Sequence, residues 1–175
     1  EKGIPLSKRY NAAARMDFTG RTFATCDGPA QVGPWRVSNS TGVNGSMDMY
    51  RAAQFSVNTY FVQLIRDTGI CASIDIAKLA GVKLADGQDL RSMQRYPSFV
   101  LGTADITPLS MAEAYATFAN RGIHCDPIIL ESITHSDGTD VPVPSANCKQ
   151  VIRQEVADGV NYILKSVANK GTGKP

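Results

Sequence analysis

The chemistry legible in this sequence concentrates in one triplet, Ser56-Val57-Asn58. A hydroxyl and a carboxamide two residues apart in a turn can both face one cleft. There the hydroxyl can relay a proton between neighbouring amines, while the amide holds a substrate carbonyl and positions a base. The same triplet, taken alone, is also what caps a helix beginning near Thr59. Other catalytic signatures are missing: the sequence has no G-x-S-x-G, H-E-x-x-H, G-x-x-x-x-G-K-[ST] or dinucleotide fingerprint. Gly171-Thr172-Gly173 reads as a helix stop. Cys26, Cys71, Cys125 and Cys148 contain no C-x-x-C pair, so zinc-ribbon and thioredoxin-like readings have no support. Four cysteines allow three disulfide connectivities, with packed free thiols as the alternative. His124 beside Cys125 reads as a surface histidine next to a packed or bridged cysteine, since adjacent residues rarely converge on one ion. No metal site is expected.

The elements that must position the triplet follow from periodicity. Met49, Ala52, Ala53, Phe61, Leu64 and Ile65 recur at helical spacing as far as Asp67-Thr68-Gly69. Residues 56–58 interrupt this run with types that favour caps and turns, which predicts two helices joined at the triplet. A shorter helix is expected over 74–79, stopped by Gly81. Thr107-Pro108 is a strong helix start, and Asn120-Arg121-Gly122 ends that helix. On it Leu109, Ala112, Ala116 and Ala119 share one face, whose small residues imply close packing. Residues 127–134 read as a strand, with Ser136-Asp137-Gly138 turning the chain toward Val141 and Val143. Val156, Val160, Ile163, Leu164 and Val167 then predict an amphipathic helix that stops before Gly171.

The stretch before residue 46 is rich in Gly, Pro, Ser, Thr and Asn and reads as loop, with Trp35 plugging it onto the core. Asn39 and Asn44 each begin an N-x-S/T match, relevant only in a glycosylating host. The chain is 175 residues long, 43% hydrophobic and 19% charged, with a net charge of +2. That suits one globular domain and argues against a nucleic-acid binder, which needs clustered cations. No 18-residue apolar run is present. The first residues lack both an initiator Met and the build of a signal peptide, the expected look of a cut or mature piece.

In order along the chain, several segments carry a specific likeness. AAQFSVNTYF (52–61) is similar to the second motif region of penicillin-binding proteins. PSFVLG (97–102) resembles the approach to that family's next long helix, and TPLSMAEAYATFANRG (107–122) closely matches its pattern. Pro127-Ile128-Ile129, Asp137-Gly138 and the final helix running into Gly171-Thr172-Gly173 follow in family order. The likeness covers nearly the whole chain from Gly3 and is nearest the transpeptidase domain of the large bifunctional members.

This resemblance implies an α/β (α+β) penicillin-binding/β-lactamase-like transpeptidase fold, of which the chain is mainly the helical portion plus a β-hairpin. Residues 1–46 would lead in, 47–122 would carry the motif, 123–145 the hairpin, and 150–175 the last helix. The family cross-links peptidoglycan stem peptides ending in D-Ala-D-Ala through a serine acyl-enzyme, is acylated by β-lactams, and needs no cofactor. Its site combines S-x-x-K, S-x-N and K-T-G. Ser56 and Asn58 occupy the second motif, as proton relay and substrate-amide anchor; Thr172 and exposed positions near Trp35 are weaker candidates for lining the cleft. No serine here has Lys three residues on, and K-T-G does not occur. The chain is therefore expected to be an internal piece between those motifs, inactive and poorly soluble alone, with the remaining domain segments as partners. A D,D-carboxypeptidase, a serine β-lactamase and a non-catalytic penicillin-sensor or scaffold module are the alternatives. The family's place outside the cytoplasmic membrane, anchored by a segment beyond this chain, implies disulfides; Cys125 and Cys148 flank the expected hairpin and would staple its two ends, which leaves Cys26 to pair with Cys71.

Overall fold

The computed structural model describes residues 3–175. Its opening stretch is three antiparallel strand pairs nested one inside another. β1 (Tyr10–Ala12) pairs with β6 (Gly45–Met47), β2 (Arg15–Asp17) with β5 (Arg36–Ser38), and β3 (Thr22–Thr25) with β4 (Gly28–Gln31). Together they make one interrupted hairpin whose tip is Cys26-Asp27. The loop expected here is thus replaced by short strands, three or four residues each, too brief to display alternation. Their inward positions supply Ala12, Phe23, Val37 and Met47 to the core. Trp35 does plug this region: its ring lies 5.5 Å from that of Phe18 and 6.1 Å from that of Phe23.

Three helices follow almost without interruption. α1 (Met49–Gln54) begins at Asp48, whose carboxylate accepts from the Arg51 N–H, and α2 (Asn58–Thr68) starts after the expected break. α3 (Ile70–Leu79) begins earlier than the 74–79 read from sequence. Gly69, at φ 88°, turns the chain in a single residue, so helix resumes at once. Val62 and Ile65 of α2 and Ile70 and Ile74 of α3 pack with Phe18, Phe23 and Val37 into the largest apolar core. A second cluster, Ala12, Met47, Ala52, Val57 and Tyr60, lies directly under the α1–α2 junction.

α4 (Pro108–Ala119) starts as expected, with the Thr107 side chain accepting from the Ser110 N–H and Pro108 in the first turn. Its buried face is different, however. Ser110, Glu113, Ala114 and Thr117 point inward, whereas Leu109, Ala112, Ala116 and Ala119 are exposed. The buried polar groups have partners waiting. Ser110 Oγ accepts from the Lys83 N–H at 3.0 Å, Thr117 Oγ1 donates to the Glu113 carbonyl at 3.0 Å, and the Glu113 carboxylate meets His124. A polar side chain with a ready partner can be buried, which hydrophobic periodicity does not register.

β7 (Ile123–His124) pairs with β10 (Lys149–Gln150), enclosing a long excursion in which β8 (Ile133–Thr134) pairs with β9 (Asp140–Val141). The hairpin is present, but the strand expected over 127–134 shrinks to two residues. Beyond Val141 the chain reads Pro142-Val143-Pro144, and proline has no N–H to extend a ladder. α5 (Gln154–Lys170) closes the fold. It packs on α1 through Tyr162 and Tyr50, rings 5.4 Å apart, and on α4, where Asn161 Nδ2 donates to the Phe118 carbonyl at 2.7 Å. Cys26 is bonded to Cys71, tying the hairpin tip to α3, and Cys125 to Cys148, clamping the neck of the excursion beside β7 and β10.

Candidate functional site

The junction between α1 and α2 is a tight turn with an uncommon backbone. Ser56 has φ 51°, a left-handed conformation that costs a non-glycine residue on the order of 1 kcal/mol. Neighbouring bonds hold it there. The N–H of Ser56 donates to the Ala53 carbonyl at 3.1 Å, and that of Val57 to the Ala52 carbonyl at 2.9 Å. Val57 is fully buried, so the turn is anchored at its middle residue while Ser56 stands exposed at its edge.

Asn58 is fixed from outside its own helix. Its Nδ2 donates to the Ser38 carbonyl at 2.9 Å, which orients the amide and leaves its oxygen to accept. The first turn of α2 has no local cap, because Val57 occupies that position. Asn39 substitutes for it from the facing loop: its Oδ1 accepts from the Thr59 N–H at 3.0 Å, and its Nδ2 donates to the carbonyls of Ala13 and Val43, each at 3.2 Å. Thr41 Oγ1 donates to the Phe55 carbonyl at 3.0 Å, immediately before Ser56. The loop after β5 is thus an ordered clamp on the turn. With both ends of its amide engaged inside the fold, Asn39 is a structural residue and a poor glycan acceptor.

Thr172 reaches the same place from the other end of the chain. Its N–H donates to the Gln54 carbonyl at 3.0 Å, two residues before Ser56. Gly171 makes this approach possible, for a Cβ there would collide with the Gln54 carbonyl oxygen. Trp35 is placed differently: its ring is taken up by the packing against Phe18 and Phe23, and it serves the turn through β5, which presents Ser38. Tyr60, in the first turn of α2, is held by donation to the Lys8 carbonyl at 2.7 Å; burial, then the charge of Asp48, pushes its hydroxyl up to about 12. It is a neutral donor that supports the turn from below.

His124 is not the surface histidine read from the sequence. It is buried, with Nε2 2.6 Å from Glu113 Oε1. Its neighbour Cys125 is bridged, as expected. The sequence reading gives Ser38, Asn39, Thr41 and Gln54 no role in holding the turn. The available signal was the run Ser38-Asn39-Ser40-Thr41, side chains suited to backbone hydrogen bonds, facing a helix start that lacks a capping residue.

The fold that positions this turn is assigned by comparison with known proteins. Residues 19–175 match the penicillin binding protein transpeptidase domain, and the chain belongs to that family. Penicillin-binding protein 2a of Streptococcus pneumoniae is 30% identical over 146 residues, covering 82% of this chain and 19% of the relative. Penicillin-binding protein 1A of Aquifex aeolicus is 27% identical over 130 residues, 74% of this chain and 17% of its own length. The chain thus spans under a fifth of these relatives. Among solved structures, penicillin-binding protein 1A from Haemophilus influenzae superposes with a TM-score of 0.77 at 22% identity, covering all of this chain and 28% of that one. The PonA1 protein of Mycobacterium tuberculosis, in complex with penicillin V, gives 0.74 at 23% identity over 95% of this chain and 43% of that one. Both share the fold.

Proposed function

We propose that this chain is the S-x-N portion of a peptidoglycan D,D-transpeptidase that penicillin acylates. In that reaction a serine oxygen attacks the carbonyl between two D-Ala residues, and the terminal D-Ala leaves with a proton. An amine of a neighbouring strand then attacks the ester and releases the serine. Ser56 relays the proton, and the oriented Asn58 amide anchors the stem peptide. No serine of this chain has Lys three residues on, so the reading assigns the nucleophile, with its oxyanion hole, to sequence outside it. The chain by itself is then inert toward penicillin. Exposed apolar residues such as Leu109, Tyr115 and Ile129 support the remaining domain segments as its partners.

The observation that carries this reading is the hydrogen bond from Thr172 to the Gln54 carbonyl. It joins the turn bearing Ser56 and Asn58 to the glycine turn that, in the family's order, leads to K-T-G. On this reading the packing of α5 on α1 also brings two corners of one cleft together. The two cysteine bridges support an oxidising, extracytoplasmic setting. No helix of the described residues is long and apolar enough to cross a membrane, so this reading places the anchor beyond this chain.

Fluorescent penicillin tests the proposal on the full-length protein. Ser56→Ala and Asn58→Ala should slow labelling by about 10²–10⁴-fold, the range for a positioned proton-transfer group. Labelling of both variants at the unaltered rate, or none of the parent protein, would overturn it. Labelled stem peptide with and without an amine acceptor then separates transpeptidation from hydrolysis.

A further inference from the structure

Away from the turn, the largest concentration of unassigned chemistry lies where α4 meets β7. Glu113, His124 and Asp126 bring one donor atom each within 4.8 Å of the others. Their convergence follows from the local structure. His124 ends β7 and Asp126 follows two residues later, with Cys125 between them bridged to Cys148. Glu113 faces them from the buried side of α4, three residues after Ser110 and four before Thr117 on the same inward face.

We propose that Glu113, His124 and Asp126 form a binding site for a divalent transition-metal ion of the zinc class. Imidazole nitrogen with carboxylate oxygens is a donor set such ions accept, and three protein ligands with an open fourth position is a familiar arrangement. Charge supports it. The Glu113 side chain is only 6% exposed, and His124 is the one partner its carboxylate has among the described residues. A buried carboxylate calls for a donor or a countercharge; Arg121, three residues before His124, is committed to Asp158 at 2.7 Å, which leaves the role to a proton on His124 or to an ion in its place. A dication between two carboxylates and an imidazole leaves no net charge.

The surroundings are pre-set. The β7–β10 pair and the Cys125–Cys148 bridge fix the backbone carrying two of the donors. Gly81, at φ 92°, backs the cluster, and a Cβ there would press on both Glu113 Oε1 and His124 Nε2. Asp126 is exposed, giving an ion a way in, and Asn147 Nδ2 donates to its Oδ2 at 2.9 Å, an outer contact that orients the ligand. A tetrahedral ion with bonds of about 2.0–2.1 Å holds neighbouring donors roughly 3.3 Å apart. The Glu113–His124 contact of 2.6 Å opens by less than an ångström to admit it.

The test is calorimetric titration of Zn²⁺ into the chelator-stripped protein, repeated with Co²⁺ while its visible ligand-field absorption is followed. The expected result is one saturable site and a tetrahedral cobalt spectrum. Asp126→Asn decides the location, because an exposed side chain can be changed without emptying the core. It should weaken binding at least tenfold and reduce the cobalt absorption, with far-ultraviolet circular dichroism unchanged. Absence of saturable binding, or an isotherm unaltered by Asp126→Asn, overturns the proposal.

Discussion

Asn39 Oδ1 accepts the backbone N–H of Thr59 and lies equally close, at 3.0 Å, to the Thr59 hydroxyl. The start of α2 is thereby capped by a residue 20 positions upstream rather than by the residue at its own N-cap, Val57. This explains how Val57 can occupy the cap position and fill the core, leaving Ser56 outside. Asn39→Ala removes the cap and strands the Val43 carbonyl, while the Ala13 carbonyl keeps its bond from the Thr59 hydroxyl. Unfolding in denaturant should show a loss of about 2–3 kcal/mol, a cap plus unsatisfied polar groups. Asn39→Asp keeps the acceptor and should recover part of it.

The two cysteine bridges differ in what they enclose. Cys26–Cys71 spans 45 residues and Cys125–Cys148 spans 23. Chain-entropy reasoning assigns about 4 kcal/mol to the longer loop and about 3.4 kcal/mol to the shorter. Removing Cys26–Cys71 by paired serine substitution should lower the unfolding midpoint more than removing Cys125–Cys148. Equal shifts would mean that native contacts, not loop closure, set the effect.

Asp17 gives the protein an acid-sensitive element. Thr19, by side-chain and backbone hydrogen bonds, and then Arg36 hold its carboxyl down to about 2. Its folded value lies below the unfolded value of about 3.9, so the stabilisation is complete above pH 4 or so. It is lost as pH falls toward about 2. Since Asp17 and Arg36 are register partners in β2 and β5, acid should loosen the strand that presents Ser38 to Asn58. Carbon-detected NMR titration should find Asp17 among the last carboxyls to protonate, and Asp17→Asn should flatten the decline in stability over that interval.

How much of this was legible in the residues depends on the reach of each interaction. The break at residues 56–58 and the helix start at Thr107-Pro108 are local events, written in adjacent side chains, and both stand where expected. The inward face of α4 was not legible, because Ser110, Glu113 and Thr117 are buried by virtue of Lys83, Ala80 and His124, all distant in sequence. The same holds for the nested strands before residue 47. Their register depends on pairings such as Tyr10 with Met47, which no window of neighbouring residues contains. The candidate turn was identified by its family pattern; the clamp that shapes it, from Ser38 to Thr41, needed the fold.

The link between the two ends of the site makes the sharpest demand. Gly171 has φ −113°, an ordinary value, so any residue suits its backbone and the need for glycine is purely steric. A methyl there would occupy the space of the Gln54 carbonyl oxygen and push the glycine turn off α1. The Thr172 hydrogen bond would go with it. Gly171→Ala should therefore cost about 1–3 kcal/mol, the usual range for overpacking. In the full-length protein it should also depress labelling by fluorescent penicillin while Ser56 and Asn58 remain intact. Gly173→Ala is the control, since a Cβ there meets only the Val167 and Ala168 backbone, no nearer than 3.4 Å. If both variants lose labelling equally, the contact with Gln54 is not what aligns the two turns. If only Gly171→Ala does, the alignment runs through that single carbonyl.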